Sequence, residues 1–123
     1  LLLKNENPAA AALFNVAGVY ADGWCAPSIR FDAGLNSAVS MVELRLWLRP
    51  EKSRSQSRVT VTCSGGRAAD FDLVHDRFIH LQSACMANAG EVVQVRVDCD
   101  NVVNANPRDR RVLSFKVQSV KFS

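Results

Sequence analysis

The sequence predicts an all-β domain: an antiparallel β-sandwich, jelly-roll-like, with a short N-terminal arm or helix. Three observations predict it. From Val16 onward, apolar residues recur mostly at every second position, the period of a half-buried strand. The apolar runs are short, seven to nine of them, with turn residues between. No helical period interrupts the middle of the chain, and this pattern is that of two stacked antiparallel sheets.

The elements follow in chain order. Residues 1–15 read differently from the rest and are expected as an N-terminal arm or linker, with the sandwich spanning 16–123. Within them Asn7 could cap a short helix through AAAALF, with Pro8 at its first position. Such a helix is too short to stand alone. Val42, Leu44, Leu46 and Leu48 alternate with Glu43, Arg45 and Trp47, and Pro50 stops this strand. Val59, Val61 and Cys63 alternate with Arg58, Thr60 and Thr62. The turn at Ser64-Gly65-Gly66 returns the chain through residues 68–74, a hairpin signal. Phe78, Ile79 and Leu81 mark a further strand, and Val93, Val95 and Val97 another. The last run changes parity: Leu113, Phe115 and Val117 are odd, Val120 and Phe122 even. One face can stay inward only if the strand absorbs an extra residue, so a β-bulge is expected at Gln118-Ser119, or else a break into two strands.

Size and composition narrow the function classes. The chain has 123 residues, 48% apolar and 22% charged, the usage of one ordinary globular domain. No stretch approaches the ~20 apolar residues of a membrane-spanning helix. LLLKNENP is too short an apolar run for a signal peptide, and the absent starting Met predicts a piece cut from a longer protein. The net charge is +3, with basic residues gathered in KSRSQSR and RDRR. A nucleic-acid reader carries stronger charge with interleaved aromatics, so KSRSQSR reads as a solvated loop and no nucleic-acid partner is expected. Cys25, Cys63, Cys85 and Cys99 form no CxxC pair. A domain of this size does not need disulfides, so they are expected reduced and buried, in a cytoplasmic protein. No Asn-x-Ser/Thr acceptor occurs, which agrees with that compartment.

Few constellations could carry chemistry. In GVYADGW, Gly18 and Gly23 permit backbone angles closed to other residues, and Asp22-Gly23 is a strong turn dipeptide. Tyr20 and Trp24 therefore flank a turn. Rings can stack on the CH faces of a sugar while Asp22 bonds its hydroxyls, although burial is the common fate of a Trp. Trp47 stands on the polar side of its strand, as a ligand platform, a contact to another domain, or a ring covered by a loop or the N-terminal arm. Asp98, Asp100 and Asn101 offer calcium-type oxygens, but EF-hand spacing is not met and turn chemistry is the simpler account. His75 and His80 differ by an odd number and would face opposite sides of a strand, poor spacing for a shared metal. A small enzyme would need one of them in a pocket beside Ser83, Cys85 or an acid. No nucleophile elbow or phosphate loop is present, so no catalytic residue, cofactor or metal is expected. Asp109 and Arg111 share a side in an extended segment. They read first as an ion pair locking the last strand, and second as an Arg presented to acidic sugar groups.

Three motifs resemble a known module. Gly18, Tyr20, Asp22, Gly23 and Trp24 come first, then Leu46, Trp47, Leu48 and Pro50, then Asp109, Arg111, Leu113, Phe115 and Val117. In order and separation they resemble a β-sandwich module, held to bind carbohydrate, that accompanies bacterial glycosyltransferases. The pattern spans residues 18–122, with Val117 where the module has Leu; residues 51–90 match nothing specific. The resemblance implies a non-catalytic accessory domain with a glycan or polysaccharide and the parent's own catalytic domain as partners. Tyr20, Asp22, Trp24, Trp47 and Arg111 are then the expected sugar contacts. The alternative is a docking or oligomerisation sandwich without a sugar site.

Overall fold

Alternation along the chain becomes alternation of burial. In the computed structural model, which describes residues 3–48, 56–64, 68–74, 78–101, 108 and 112–123, there are nine strands and, among the described residues, no helix. They are β1 (Lys4–Asn5), β2 (Ala11–Val19), β3 (Trp24–Leu35), β4 (Val39–Leu48), β5 (Gln56–Cys63), β6 (Ala69–Val74), β7 (Phe78–Ala87), β8 (Val92–Cys99) and β9 (Phe115–Phe122). Their hydrogen-bonded order is β6-β5-β8-β3-β9-β4-β7, with β2 added to β3 and β1 to β9. Every pairing is antiparallel except β1 with β9.

Strand β3 is what folds this order into two layers. Its residues 28–34 pair with β8, whereas Trp24 and Cys25 pair with β9. Pro27, which has no amide to donate, lies between the two sets, where the chain passes from one layer to the other. One layer is β2-β3-β8-β5-β6; the other is the start of β3 with β9, β4 and β7. Phe31, Phe115, Phe122, Ile29, Leu44, Leu46 and Leu48 are fully buried between them. Each contributes about 2 kcal/mol relative to exposure. The predicted sandwich is therefore the observed architecture; β2 and β6 edge the first layer, and β7 edges the second, with the short β1 beside β9 on its other side.

Two expectations need correction. Pro8–Ala10 form a turn, and β2 begins at Ala11, so AAAALF is not helical. A helix of that length gains little by itself, whereas Ala11–Phe14 supply the ladder partners that Asp32–Leu35 of β3 lack on that side. The expected boundary at 15/16 falls inside β2. Second, the cysteines are not all reduced. Cys63 and Cys85 form a disulfide across 22 residues, joining β5 to β7, while Cys25 and Cys99 are buried and lie outside that bond. The apolar phase of Cys63 rightly marked it as inward; only the layer packing reveals which inward neighbour it meets.

The parity change resolves as a bulge. Arg45 pairs with Ser119 but Leu46 with Val117, so Gln118 is the extra residue in β9. Val117, Ser119 and Val120 all end up buried while Gln118 is exposed. Deleting Gln118 leaves each apolar residue with its partner on β4, so the variant is expected to fold with a loss of about 1 kcal/mol. Deleting Lys116 turns Val117 outward and Gln118 inward, and is expected to abolish cooperative unfolding. Thermal denaturation of the two variants separates the cases; equal losses would refute the bulge assignment.

Cys25 shows how closed the interior is. Burial pushes its thiol up from 9.0 to about 11, partly offset by a hydrogen bond with the Val117 backbone. The folded chain therefore resists ionisation that the unfolded chain accepts. This part of the stability is intact below pH 9 and is lost as pH rises through about 11, at most about 3 kcal/mol. Urea midpoints should fall less steeply over that range for Cys25→Ala, and iodoacetamide at pH 8 should leave native Cys25 unmodified. Rapid alkylation of the native protein at Cys25 would contradict this.

Candidate functional site

The β2–β3 hairpin ends in the quoted turn. Gly23 has φ of 90° and its amide donates to the Tyr20 carbonyl at 3.0 Å; the Tyr20 amide donates to the Trp24 carbonyl at 2.8 Å. The Trp24 amide donates to Asp22 Oδ1 at 3.2 Å. Asp22 is thus a turn-holding acceptor. At Gly18, φ is 87°, and a Cβ would lie 2.5 Å from the Ser28 carbonyl oxygen, so only glycine fits. The hairpin sets Tyr20 opposite Trp24, and both are half-buried.

From Trp24 a row of side chains crosses the outer face of the second layer. Trp24 pairs with Lys116, Lys116 with Trp47, and Trp47 with Phe78. Directly opposed residues share a face, and strands stand about 4.8 Å apart, so the row spans about 14 Å. The indoles meet edge-on, with centroids 6.0 Å apart and planes at 63°. The Lys116 ammonium lies over both rings, 5.1 Å from Trp24 and 5.7 Å from Trp47. Such contacts contribute about 0.5–1 kcal/mol each near the surface. Phe78 is 63% exposed.

Two further pairs lie on the same face of β4 and β7. Arg45 opposes His80 and Glu43 opposes Gln82. Gln82 Nε2 donates to Glu43 Oε1 at 3.0 Å, and His80 Nε2 stands 3.6 Å from Glu43 Oε2. These groups border a depression of about 210 Å³ lined by Glu6, Glu43, Arg45, His80, Ser119 and Lys121.

Of the residues expected from the sequence, the fold brings Tyr20, Asp22, Trp24 and Trp47 to one end of this face. Arg111 and Asp109 lie outside the described residues, as do His75, Pro50, Gly65 and most of KSRSQSR. Arg58, which closes that run, is exposed, with its guanidinium 3.4 Å from Asp72. Asp98, Asp100 and Asn101 are not gathered round a common point. Asp98 pairs with Arg96 at 3.0 Å, Asp100 accepts the Arg58 amide at 2.8 Å, and buried Asn101 donates to the Ser114 carbonyl at 3.0 Å. No cluster of metal-ligating side chains occurs among the described residues. The enzyme alternative needed His75 or His80 in a pocket beside Ser83, Cys85 or an acid, and His80 does border the depression beside Glu43. Ser83 and Cys85 point inward, Cys85 is in the disulfide, and His80 points out.

Phe78, Lys116 and the polar pairs escaped sequence reasoning. Strand parity puts each of them outward, but nothing local says which strands are neighbours. No family model matches the chain, and no curated protein does. Among solved structures, TmCBM61 in complex with beta-1,4-galactotriose is similar, with 11% identity and a TM-score of 0.45. The match covers 92% of this chain and 69% of that one.

Proposed function

We propose that this domain is a non-catalytic glycan-binding module whose binding face is the outer surface of β3, β9, β4 and β7. One observation carries the reading: Trp24, Trp47 and Phe78 stand in register on one solvent-facing sheet surface, with Lys116 seated between the indoles. Aromatic rings give a sugar an apolar stacking surface, and the adjoining carboxylate, guanidinium and amide groups match its hydroxyls. Water competes for every such hydrogen bond, leaving about 1 kcal/mol net for each, so affinity for a single sugar is weak and grows with chain length.

The attachment of this module to a bacterial glycosyltransferase is supported by the three sequence motifs alone. The compartment we propose is an oxidising one in place of the cytoplasm expected from the sequence, because the Cys63–Cys85 bond persists where thiols are not kept reduced. Exposed Phe78 and Met86 on edge strand β7 favour the docking alternative. Intrinsic fluorescence during titration with soluble polysaccharides decides between them, since both tryptophans lie in the row. A saturable change supports the glycan face. Silence toward every glycan, with concentration-dependent self-association, supports docking.

A further inference from the structure

The aromatic row crosses the strands, but the polar groups do not lie along it. They run down β4 and β7. Trp47–Phe78, Arg45–His80 and Glu43–Gln82 are three successive opposed pairs on one face, two residues apart along each strand. At about 3.4 Å per residue the pairs repeat every 7 Å or so. They form a track with an aromatic step followed by two polar steps. Lys116 occupies the row between Trp24 and Trp47, so a chain stacked on Trp47 has its open course along the track rather than across the strands.

The bulge in β9 makes room beside it. Because Gln118 is extra, the small Ser119 falls opposite Arg45 and shares its outer face, where a larger outward side chain would fill the space, and it lies covered by its neighbours. The result is the depression with Ser119 as its floor, Lys121 and Glu6 on one side, and Arg45, Glu43 and His80 on the other. A bulge that re-aims side chains beside a binding site is a common use of the feature. Glu43 is already oriented by Gln82, with its side chain only 16% exposed. Arg45 is exposed and has no ion-pair partner among the described residues, which leaves its guanidinium available.

We infer that this depression is a second sugar subsite, taking an uncharged sugar unit of the same chain that stacks on Trp47. The inference rests on the glycan reading above and adds a direction and a ligand class. The chain runs parallel to β4 and β7. Its neighbouring unit places hydroxyls on Glu43 as acceptor and on Arg45 as donor, and a sugar hydroxyl can do both at once. The lining sets two carboxylates, Glu6 and Glu43, against two fixed cations, Arg45 and Lys121, with His80 as the fifth group. Because the fixed charges of the lining cancel, it offers no net attraction to a uronate or sulfate group, whereas it supplies both donors and acceptors for neutral hydroxyls.

The test is isothermal titration of the intact domain with mono-, di-, tri- and tetrasaccharides of the β-1,4-glucan, β-1,4-mannan and β-1,4-galactan series, and with trigalacturonate. Affinity is expected to climb to the trisaccharide of the preferred neutral series and then level off. Glu43→Gln and Arg45→Ala should each weaken trisaccharide binding about tenfold, the scale of a hydrogen bond to a charged group. They should leave monosaccharide binding unchanged, while Trp47→Ala weakens both. If Trp47→Ala weakens binding but the two polar variants do not, the subsite is overturned and the glycan face stands. Tighter binding of trigalacturonate than of any neutral trisaccharide overturns the ligand class. No binding of any probe by the parent domain overturns both readings. Circular dichroism of each variant shows whether a loss is one of folding, and Arg45→Lys, which keeps the charge but not the fork, is expected to recover only part of the affinity.

Discussion

Trp47→Ala is expected to lower affinity for a bound glycan by about thirtyfold, roughly 2 kcal/mol, the scale of a central aromatic anchor. Three losses combine. The stacking surface goes, Trp24 loses its edge contact, and Lys116 loses one of the two rings that fix its ammonium. Stability should fall less than for a buried aromatic, because Trp47 is only half-buried on the outer face and Leu46 and Leu48 continue to fill the core. Trp47→Phe keeps a ring and should retain part of the affinity. Titration calorimetry measures the binding term and urea denaturation the folding term. Unchanged affinity in Trp47→Ala, with the fold intact, would remove the aromatic row from the binding face.

Breaking the disulfide is expected to lower stability by about 3 kcal/mol, from the chain entropy released when a loop of this length opens. For a domain of this size that corresponds to roughly 10 °C in Tm. The consequence reaches the binding face. Strand β7 is an edge strand, paired only with β4, and carries Phe78, His80 and Gln82 on its outer side. Cys85 is its covalent tie to the opposite layer. Reduction should therefore loosen β7 and weaken trisaccharide binding as well as lower Tm. Scanning calorimetry with and without reductant, set beside the Cys63→Ala/Cys85→Ala double variant, measures this. Identical Tm values for the oxidised protein and the double variant would show that the bond contributes nothing.

Much of the sandwich was legible because its signals are local. The alternation in residues 42–48 and 93–97 required one face inward, and those odd or even positions are buried as expected. The parity change between Val117 and Val120 demanded an extra residue, and Gln118 is that residue. The turn chemistry of Asp22-Gly23 likewise needed no knowledge of the fold. The candidate site was legible only at one end. Tyr20, Asp22, Trp24 and Trp47 stood out by residue type or by breaking the apolar phase. Phe78 did not, since its outward parity in a short apolar run does not say which strand lies beside it, and Arg45, Glu43 and His80 read as ordinary solvent-facing polar groups.

The sequence by itself determined which side of each strand is apolar, where the chain turns, and where the last strand must slip by one residue. These depend on side-chain period and backbone angles, which act over a few neighbouring positions. The tertiary structure alone decided that β9 lies between β3 and β4, that Cys63 meets Cys85, and that Ala11 extends a sheet instead of starting a helix. Those outcomes depend on contacts between residues far apart in the chain. Trp24, Trp47, Phe78 and Lys116 come from four different strands, and only the pairing of those strands makes them one surface.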